Sequence, residues 1–390
     1  MKIISIQHLT QIFGKNKKAV LATLHEGKTQ ETIQQETGAV VSLYDISLEI
    51  QKGEIFVLMG LSGSGKSTLL RCINALNKPT QGEVLFHRGS ETIEIQNASP
   101  ELLREIRQKH ISMVFQKYAL MPWRTIRQNV AFGLEVAGKE KQEIQEIVDQ
   151  KLELVGLKDW KDRYPHELSG GMQQRVGLAR ALATDADVLL LDEPFSALDP
   201  LTRFRMQEEL LLLQKQLQKT MIFVSHDLDE ALKLGSRIAM LEAGRLIQVG
   251  TPENIVTQPA SEYVRNFVTN VNPKNVLRCE TVLRPLEKLD RETSNRVWLD
   301  LSHHCLGVLD ENQRLQEVWI HQNKGNFIPF DESISWDSVP EESLFSSFGD
   351  TLLKNAITVN RRTGYPLLIL DAQKKLRGVV GPLEILNGFN

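Results

Sequence analysis

An α/β fold built on a largely parallel, buried sheet is what this sequence predicts, and three observations carry the prediction. Short apolar runs, IFVLM at residues 55–59, VLLLD at 188–192 and MIFVSH at 221–226, alternate with stretches of helical pattern such as STLLRCINAL and RFRMQEELLLLQKQLQ. These runs are apolar throughout rather than at every second position, which suits strands covered on both faces. Between the first run and the first of those helices lies GLSGSGKST at residues 60–68, a strand-to-helix turn of glycines and serines around one lysine.

Taken in order, the elements suggest more than one folded unit, since 390 residues exceed what one hydrophobic core usually serves. IISIQHLTQIFG and VVSLYDISLEI read as parts of one sheet. Residues 17–37, KKAVLATLHEGKTQETIQQET, interrupt them and read as two short helices joined at Gly27. Residues 99–183 turn mainly helical and charged, as in ELLREIRQKH and EKQEIQEIVDQKLELVG, and read as a helical subdomain inserted into the α/β core. Near residue 275 the pattern changes, which sets expected domains of 1–275 and 276–390. In the second of these, LGVLDENQRLQEVW from Leu306 and LLILDAQKKLRGVV from Leu367 superimpose without a gap at an offset of 61 residues. Each reads as strand, tight polar turn, strand, so the tail is expected to be a small domain of two repeated α/β units.

Composition narrows the function classes. A net charge of −3 gives no electrostatic reason to expect nucleic acid. The start, MKIISIQHLTQIFGK, lacks the charged, apolar and small-residue regions of a signal peptide, so no export is expected. DVLLLDEPF and EELLLLQKQL are broken by charge well before the roughly 20 residues that cross a bilayer, so any membrane role is expected to be peripheral. Cys72, Cys279 and Cys305 have neither metal-type spacing nor an even count, and point to a reducing cytoplasm.

The chemistry starts from residues 60–67, which fit G-x-x-x-x-G-K-[ST] completely. Glycines there let backbone N–H groups converge on an anion, so Gly60, Ser62, Gly63, Ser64, Gly65, Lys66, Ser67 and Thr68 are candidates for holding a nucleotide phosphate. VLLLDEP then puts Asp192 and Glu193 at the end of an apolar strand, where one carboxylate serves Mg²⁺ and the next polarises a water. A third stretch, ELSGGMQQR at residues 167–175, lies just upstream of that strand.

Together these motifs resemble the ATP-binding cassette family, whose signature is LSGGQ followed by a basic residue; here Met172 stands where the commonest form has Gln. The resemblance covers about the first two thirds of the chain, and its other motifs follow in the family's order: Gln116 in VFQ, SALD at residues 196–199, and His226 in VSHD. It implies a RecA-like P-loop core with an inserted helical subdomain, and ATP and Mg²⁺ as ligands. It implies that Lys66 neutralises β and γ phosphates, that Ser67, Gln116 and Asp192 surround the metal, that Glu193 is the general base, and that His226 contacts the γ-phosphate. Ser169 and Gly171 would act across a head-to-tail dimer, so a second cassette, most simply another copy, is an implied partner, and Gly170 and Asp199 are further candidates for binding the nucleotide. For stacking on adenine the candidate is Phe13, with Tyr44 as competitor.

Longer stretches, among them MVFQKYALMPWRTIRQNVAFGLE and FVSHDLDEALKLGSRIAMLEAGRLIQVGTPENI, are similar to the ATPase subunits of importers for quaternary amines. MPWRTIRQNV and VNPKNVL place choline ahead of glycine betaine or proline betaine. The resemblance implies transmembrane permease subunits docked along residues 116–124, with Tyr118, Met121 and Trp123 as contacts, a substrate-binding protein met only indirectly, and a peripheral place on the cytoplasmic face of the membrane. The tail resembles a degenerate pair of cystathionine-β-synthase-type modules, with Gly381 and Glu384 where nucleotide-binding members carry a hydroxyl residue and Asp. Ionic-strength sensing and dimer stabilisation both stay open for it. The competing class, a soluble cassette ATPase uncoupled from transport, usually carries two cassettes or a long coiled coil, and this sequence shows neither.

Overall fold

In the computed structural model, which describes all residues except Lys117, Tyr118, Ala197, Asn270, Phe389 and Asn390, the contacts divide into two units, Met1–Thr269 and Asn270–Asn390. The first opens with β1 (Lys2–Phe13), α1 (Lys17–His25), α2 (Gln30–Thr37) and β2 (Val40–Gln51). The two short helices leave one strand end and return at its antiparallel neighbour, where Phe13 pairs with Val40. Val20, Leu24 and Ile33 pack there on Ile12, Ala39 and Val41, so the insertion has a small core of its own.

The chain continues through β3 (Ile55–Met59), α3 (Lys66–Ile73), β4 (Gln81–Arg88), β5 (Glu91–Glu94), α4 (Pro100–Lys109) and β6 (Ile111–Val114). Three helices follow, α5 (Ile126–Val136), α6 (Lys141–Leu154) and α7 (Gly170–Ala183), before β7 (Val188–Asp192), α8 (Pro200–Leu217), β8 (Thr220–Ser225), α9 (Leu228–Leu234), β9 (Arg237–Glu242), β10 (Arg245–Gly250), α10 (Pro252–Thr257) and α11 (Glu262–Val268). An antiparallel sheet has the order β2-β1-β4-β5, and the central sheet the order β10-β9-β3-β8-β7-β6, parallel except at β10.

Every residue of β3, β7 and β8 is buried, and the pleat sorts them. Phe56 and Leu58 join the core shared with the antiparallel sheet and α3, whereas Ile55, Val57 and Met59 join the core under α7, α8 and α9. Two buried faces leave polar residues only at the strand ends, Asp192, Thr220 and Ser225, which is why the runs read as continuous rather than alternating.

The segment expected to be a helical subdomain, residues 99–183, needs correction at its start. β6 is the edge strand beside β7, and Ile106 of α4 and Ile111 of β6 belong to the central core. The separate helical packing begins with α5, where Ile126, Val130 and Leu134 meet Val148, Leu152, Val176 and Ala179. A strand of only four residues, ISMV, is too short to stand out from the helical periodicity around it.

The second unit runs α12 (Cys279–Val282), β11 (Arg284–Pro285), β12 (Arg291–Thr293), β13 (Arg296–Trp298), β14 (Cys305–Leu309), β15 (Leu315–Ile320), β16 (Asn323–Lys324), β17 (Asn326–Pro329), β18 (Ser343–Phe348), α13 (Leu353–Thr363), β19 (Leu367–Leu370), β20 (Leu376–Val380) and α14 (Pro382–Asn387). Both repeat copies form antiparallel hairpins, β14–β15 and β19–β20, closed by the same turn. Asp310 Oδ1 accepts from the amides of Asn312 and Arg314, and Asp371 Oδ1 accepts from those of Gln373 and Lys375, while Gln313 and Lys374 both have φ near +60°. The repeat stops there. Helices α13 and α14 flank the second hairpin, but the first lies in a wholly antiparallel sheet, β12-β13-β14-β15-β16, so only one copy is an α/β unit.

Candidate functional site

The parallel strands of the central sheet bring four separate segments to one edge, because each site residue follows the carboxyl end of its strand: the phosphate loop after β3, Gln116 after β6, Glu193 after β7 and His226 after β8. Sequence separation vanishes there.

The loop is held open by backbone that glycine alone tolerates. Gly60, Gly63 and Gly65 have φ of 152°, 82° and 96°. A Cβ on Gly60 would stand 2.1 Å from the Leu241 carbonyl oxygen of β9, and one on Gly65 would stand 2.5 Å from the Ser42 carbonyl oxygen of β2. Lys66 Nζ donates to the Gly60 and Leu61 carbonyls at 2.8 and 2.9 Å, and burial lowers its pKa below the usual lysine value against the opposing pull of Glu193 and Asp192. Ser64 Oγ is buried with no hydrogen-bond partner, as expected of a polar atom in a cradle shaped for an anion. Ser62 and Gly63 are exposed at the rim, and Thr68 accepts from the Ser42 hydroxyl at 2.8 Å.

Beside the loop, Ser67 Oγ donates to Asp192 Oδ1 at 2.6 Å, and Arg71 lies 3.6 Å from the other oxygen of this almost fully buried carboxylate. Glu193 follows with φ of 44°, a conformation uncommon outside glycine and frequent where a side chain must be aimed. Its Oε2 accepts from Gln116 Nε2 at 3.0 Å and lies 3.5 Å from His226 Nδ1. The structure therefore gathers Ser67 with Asp192, and Gln116 with Glu193 and His226. Ser67, Asp192 and Gln116 offer hard oxygen donors, and among the described residues no group of three or more His, Cys, Asp or Glu forms a closed metal site. A partial oxygen set of this kind fits Mg²⁺, which keeps waters and takes substrate phosphates as its remaining ligands.

Ser169 caps α7, its hydroxyl accepting from the Met172 amide at 3.4 Å, so Gly170 and Gly171 lie at a helix start where backbone donors lack intrahelical partners. Asp199 caps α8, and the Thr202 amide it accepts from at 3.0 Å holds its carboxyl below the usual range. None of these residues bonds to the phosphate loop of the same chain among the described contacts. Phe13, at the end of β1, is 40% exposed, whereas the Tyr44 ring lies beneath the Arg245 guanidinium at 4.4 Å.

In residues 116–124, Tyr118 lies outside the described residues, Met121 is half-buried and Trp123 is 74% exposed. Sequence reasoning missed the residue that shapes this loop. The fully buried Asn129 side chain donates to the Met121, Arg124 and Thr125 carbonyls and accepts from the Met121 amide at 2.8 Å. Its signal was an amide residue at an apolar position of α5. The three cysteines are free and buried, with thiols pushed up to about 12, so no disulfide or reactive thiol enters the chemistry.

Residues 43–196 match the family model described as ABC transporter. The chain is 42% identical over 388 residues to the glycine betaine transport ATP-binding protein OpuAA of Bacillus subtilis, covering 97% of this chain and 90% of that protein. It is 39% identical over 385 residues to the glycine betaine/carnitine transport ATP-binding protein GbuA of Listeria monocytogenes, covering 97% and 96%. Against the glycine betaine/proline betaine ATP-binding protein ProV of Escherichia coli it is 48% identical over 281 residues, covering 72% and 69%. A solved ATP-binding cassette, a dimer in a post-hydrolysis state bound to ADP and Pi, is 30% identical with a TM-score of 0.54, covering 64% of this chain and 99% of that one. Among the described residues no helix is long and apolar enough to cross a membrane.

Proposed function

Because the chain belongs to the ATP-binding subunits of ABC importers for betaine-type osmoprotectants, we propose that it hydrolyses ATP to drive uptake of glycine betaine. The expectation of choline gives way here. The observation that carries the reading is the 42% identity to a glycine betaine transport protein across 90% of that protein's length, tail included. The other relatives named above also move glycine betaine, together with carnitine or proline betaine.

ATP is the substrate. The amides of the phosphate loop and Lys66 bind its phosphates, and Lys66 must exchange the Gly60 and Leu61 carbonyls for phosphate oxygens as it does so. Ser67, Asp192 and Gln116 would hold Mg²⁺, which when bound supplies neutralisation of phosphate charge. Glu193 accepts the proton of the attacking water at Oε2, the oxygen that Gln116 orients and His226 approaches, while His226 faces the γ-phosphate. Phe13 stacks on adenine, an assignment supported by its exposed ring and by the occupied face of Tyr44. Ser169, Gly170, Gly171 and Asp199 close over ATP bound by a second copy, as the dimeric state of the solved cassette supports.

The chain works on permease subunits from the cytoplasmic side of the membrane, through residues 116–124. Trp123→Ala is expected to leave the affinity for ATP unchanged and to weaken association of the subunit with permease-containing membranes, measured by co-sedimentation. Loss of ATP binding in that variant contradicts the placement. For the tail, the geometry tells against nucleotide sensing: Glu384 is buried, accepts from the Gly381 amide at 2.9 Å and pairs with Arg284 at 3.3 Å, so its carboxylate is spent inside the fold.

The test of the solute is uptake of labelled glycine betaine and labelled choline, side by side, in native cells carrying wild-type or Glu193→Gln protein at equal abundance. Selective loss of glycine betaine uptake is expected. Selective loss of choline uptake overturns the reading.

A further inference from the structure

The phosphate loop has a contact that no motif contains. Tyr263, on α11, places its hydroxyl between the loop and the central sheet: it accepts from the Leu61 amide at 3.2 Å and donates to the Leu241 carbonyl at 3.0 Å. Leu241 belongs to β9, and its carbonyl is the same oxygen that a Cβ on Gly60 would strike. The Gly60–Leu61 peptide is thus confined on one side by the β9 backbone and tied to it by one phenol. The ring is fixed independently of the hydroxyl, packing edge-on against Phe267 with centroids 5.1 Å apart and joining the core under α8 and α9. Burial raises the phenol above its ordinary pKa, with the Glu242 carboxylate adding to this and the Leu61 amide opposing it, so it remains a donor through the physiological range.

We propose that Tyr263 is a positioning residue for ATP binding, holding the first turn of the phosphate loop against β9 while Lys66 changes partners. In the structure Lys66 ties down the carbonyls of Gly60 and Leu61. When its ammonium turns to phosphate oxygens those carbonyls lose their charged partner, and the loop must keep its shape at that moment by other means. The Tyr263 bridge does not involve Lys66 and persists through the exchange. It holds the N–H end of the Gly60–Leu61 peptide, whose carbonyl end Lys66 ties down, so it acts on the readiness of the cradle and not on the transferring phosphoryl group. The inference rests on reading this loop as the ATP site.

Tyr263→Phe removes the hydroxyl and keeps the ring. In the assembled importer reconstituted in liposomes, the expected result is a KM for MgATP about three- to tenfold higher, the range for the neutral hydrogen bond to the Leu61 amide, with kcat unchanged and the melting temperature slightly lowered because the Leu241 carbonyl also loses its donor. Phe267→Leu disturbs the ring's support but keeps the hydroxyl, and is expected to lower the melting temperature with a smaller effect on KM. A Tyr263→Phe importer whose KM stays within about twofold of wild type overturns the proposal, as does one in which kcat falls at unchanged KM. Lys66→Met is measured alongside: unchanged ATP binding in that variant refutes the loop as the ATP site, and the Tyr263 assignment with it, whereas loss of binding there leaves the Tyr263→Phe result to decide.

Discussion

Glu193→Gln is expected to lower ATP turnover of the assembled importer by about 100- to 10,000-fold, the span attributed to a positioned general base, while ATP affinity stays within a few fold of wild type. The amide has the shape of the carboxylate, and its oxygen still accepts from Gln116, which lies 3.0 Å from the present Oε2. What is lost is the ability to take a proton. Phosphate release under single-turnover conditions, paired with equilibrium binding of MgATP, separates the two quantities. Turnover at the wild-type rate would remove Glu193 from the chemistry and leave its φ of 44° without a functional account.

Gly60→Ala is expected to abolish tight ATP binding, raising Kd by at least about 100-fold, because a misplacement of about 1 Å in a positioning group costs that much. The added Cβ would lie 2.1 Å from the Leu241 oxygen and 2.7 Å from Ser64 Oγ, at a φ of 152° that L-residues rarely adopt. One side must yield. Leu241 and its neighbours Ile238, Ala239 and Met240 are fully buried in a close-packed strand, so the loop moves and carries its amides away from the phosphates. Gly63→Ala is the control. Its Cβ would meet nothing within 4 Å, leaving only the strain of a φ of 82°, about 1 kcal/mol, or a loss of roughly fivefold. Equal effects of the two substitutions would show that conformational strain, not the β9 wall, governs the loop.

The phosphate loop, the strand acids and the signature were legible in the sequence because each motif is a local requirement: a turn without side chains, a carboxylate pair ending an apolar run, a helix start left free of side chains. The repeat in the tail was legible for the same reason, since Asp310 and Asp371 each organise their own turn within four residues. Its outer limits were not, because whether helices or strands surround a hairpin depends on what packs against it. β6 was hidden in the helical stretch, as a four-residue edge strand is defined by β7 rather than by its own pattern.

The sequence by itself determined the α/β class, the nucleotide chemistry and the candidate residues Lys66, Ser67, Gln116, Asp192, Glu193 and His226. Only the tertiary structure decided which of them meet, that Asn129 shapes the loop beside Trp123, and that Leu241 and Tyr263 bound the phosphate loop. The physical reason is separation along the chain: Tyr263 reaches Leu61 across 202 positions, and Ser67 reaches Asp192 across 125. Contacts of that range leave no periodicity for a sequence to display; Ser67 and Asp192 meet because parallel strands bring their carboxyl ends to one edge, and Tyr263 meets Leu61 because α11 packs on the core beneath that edge.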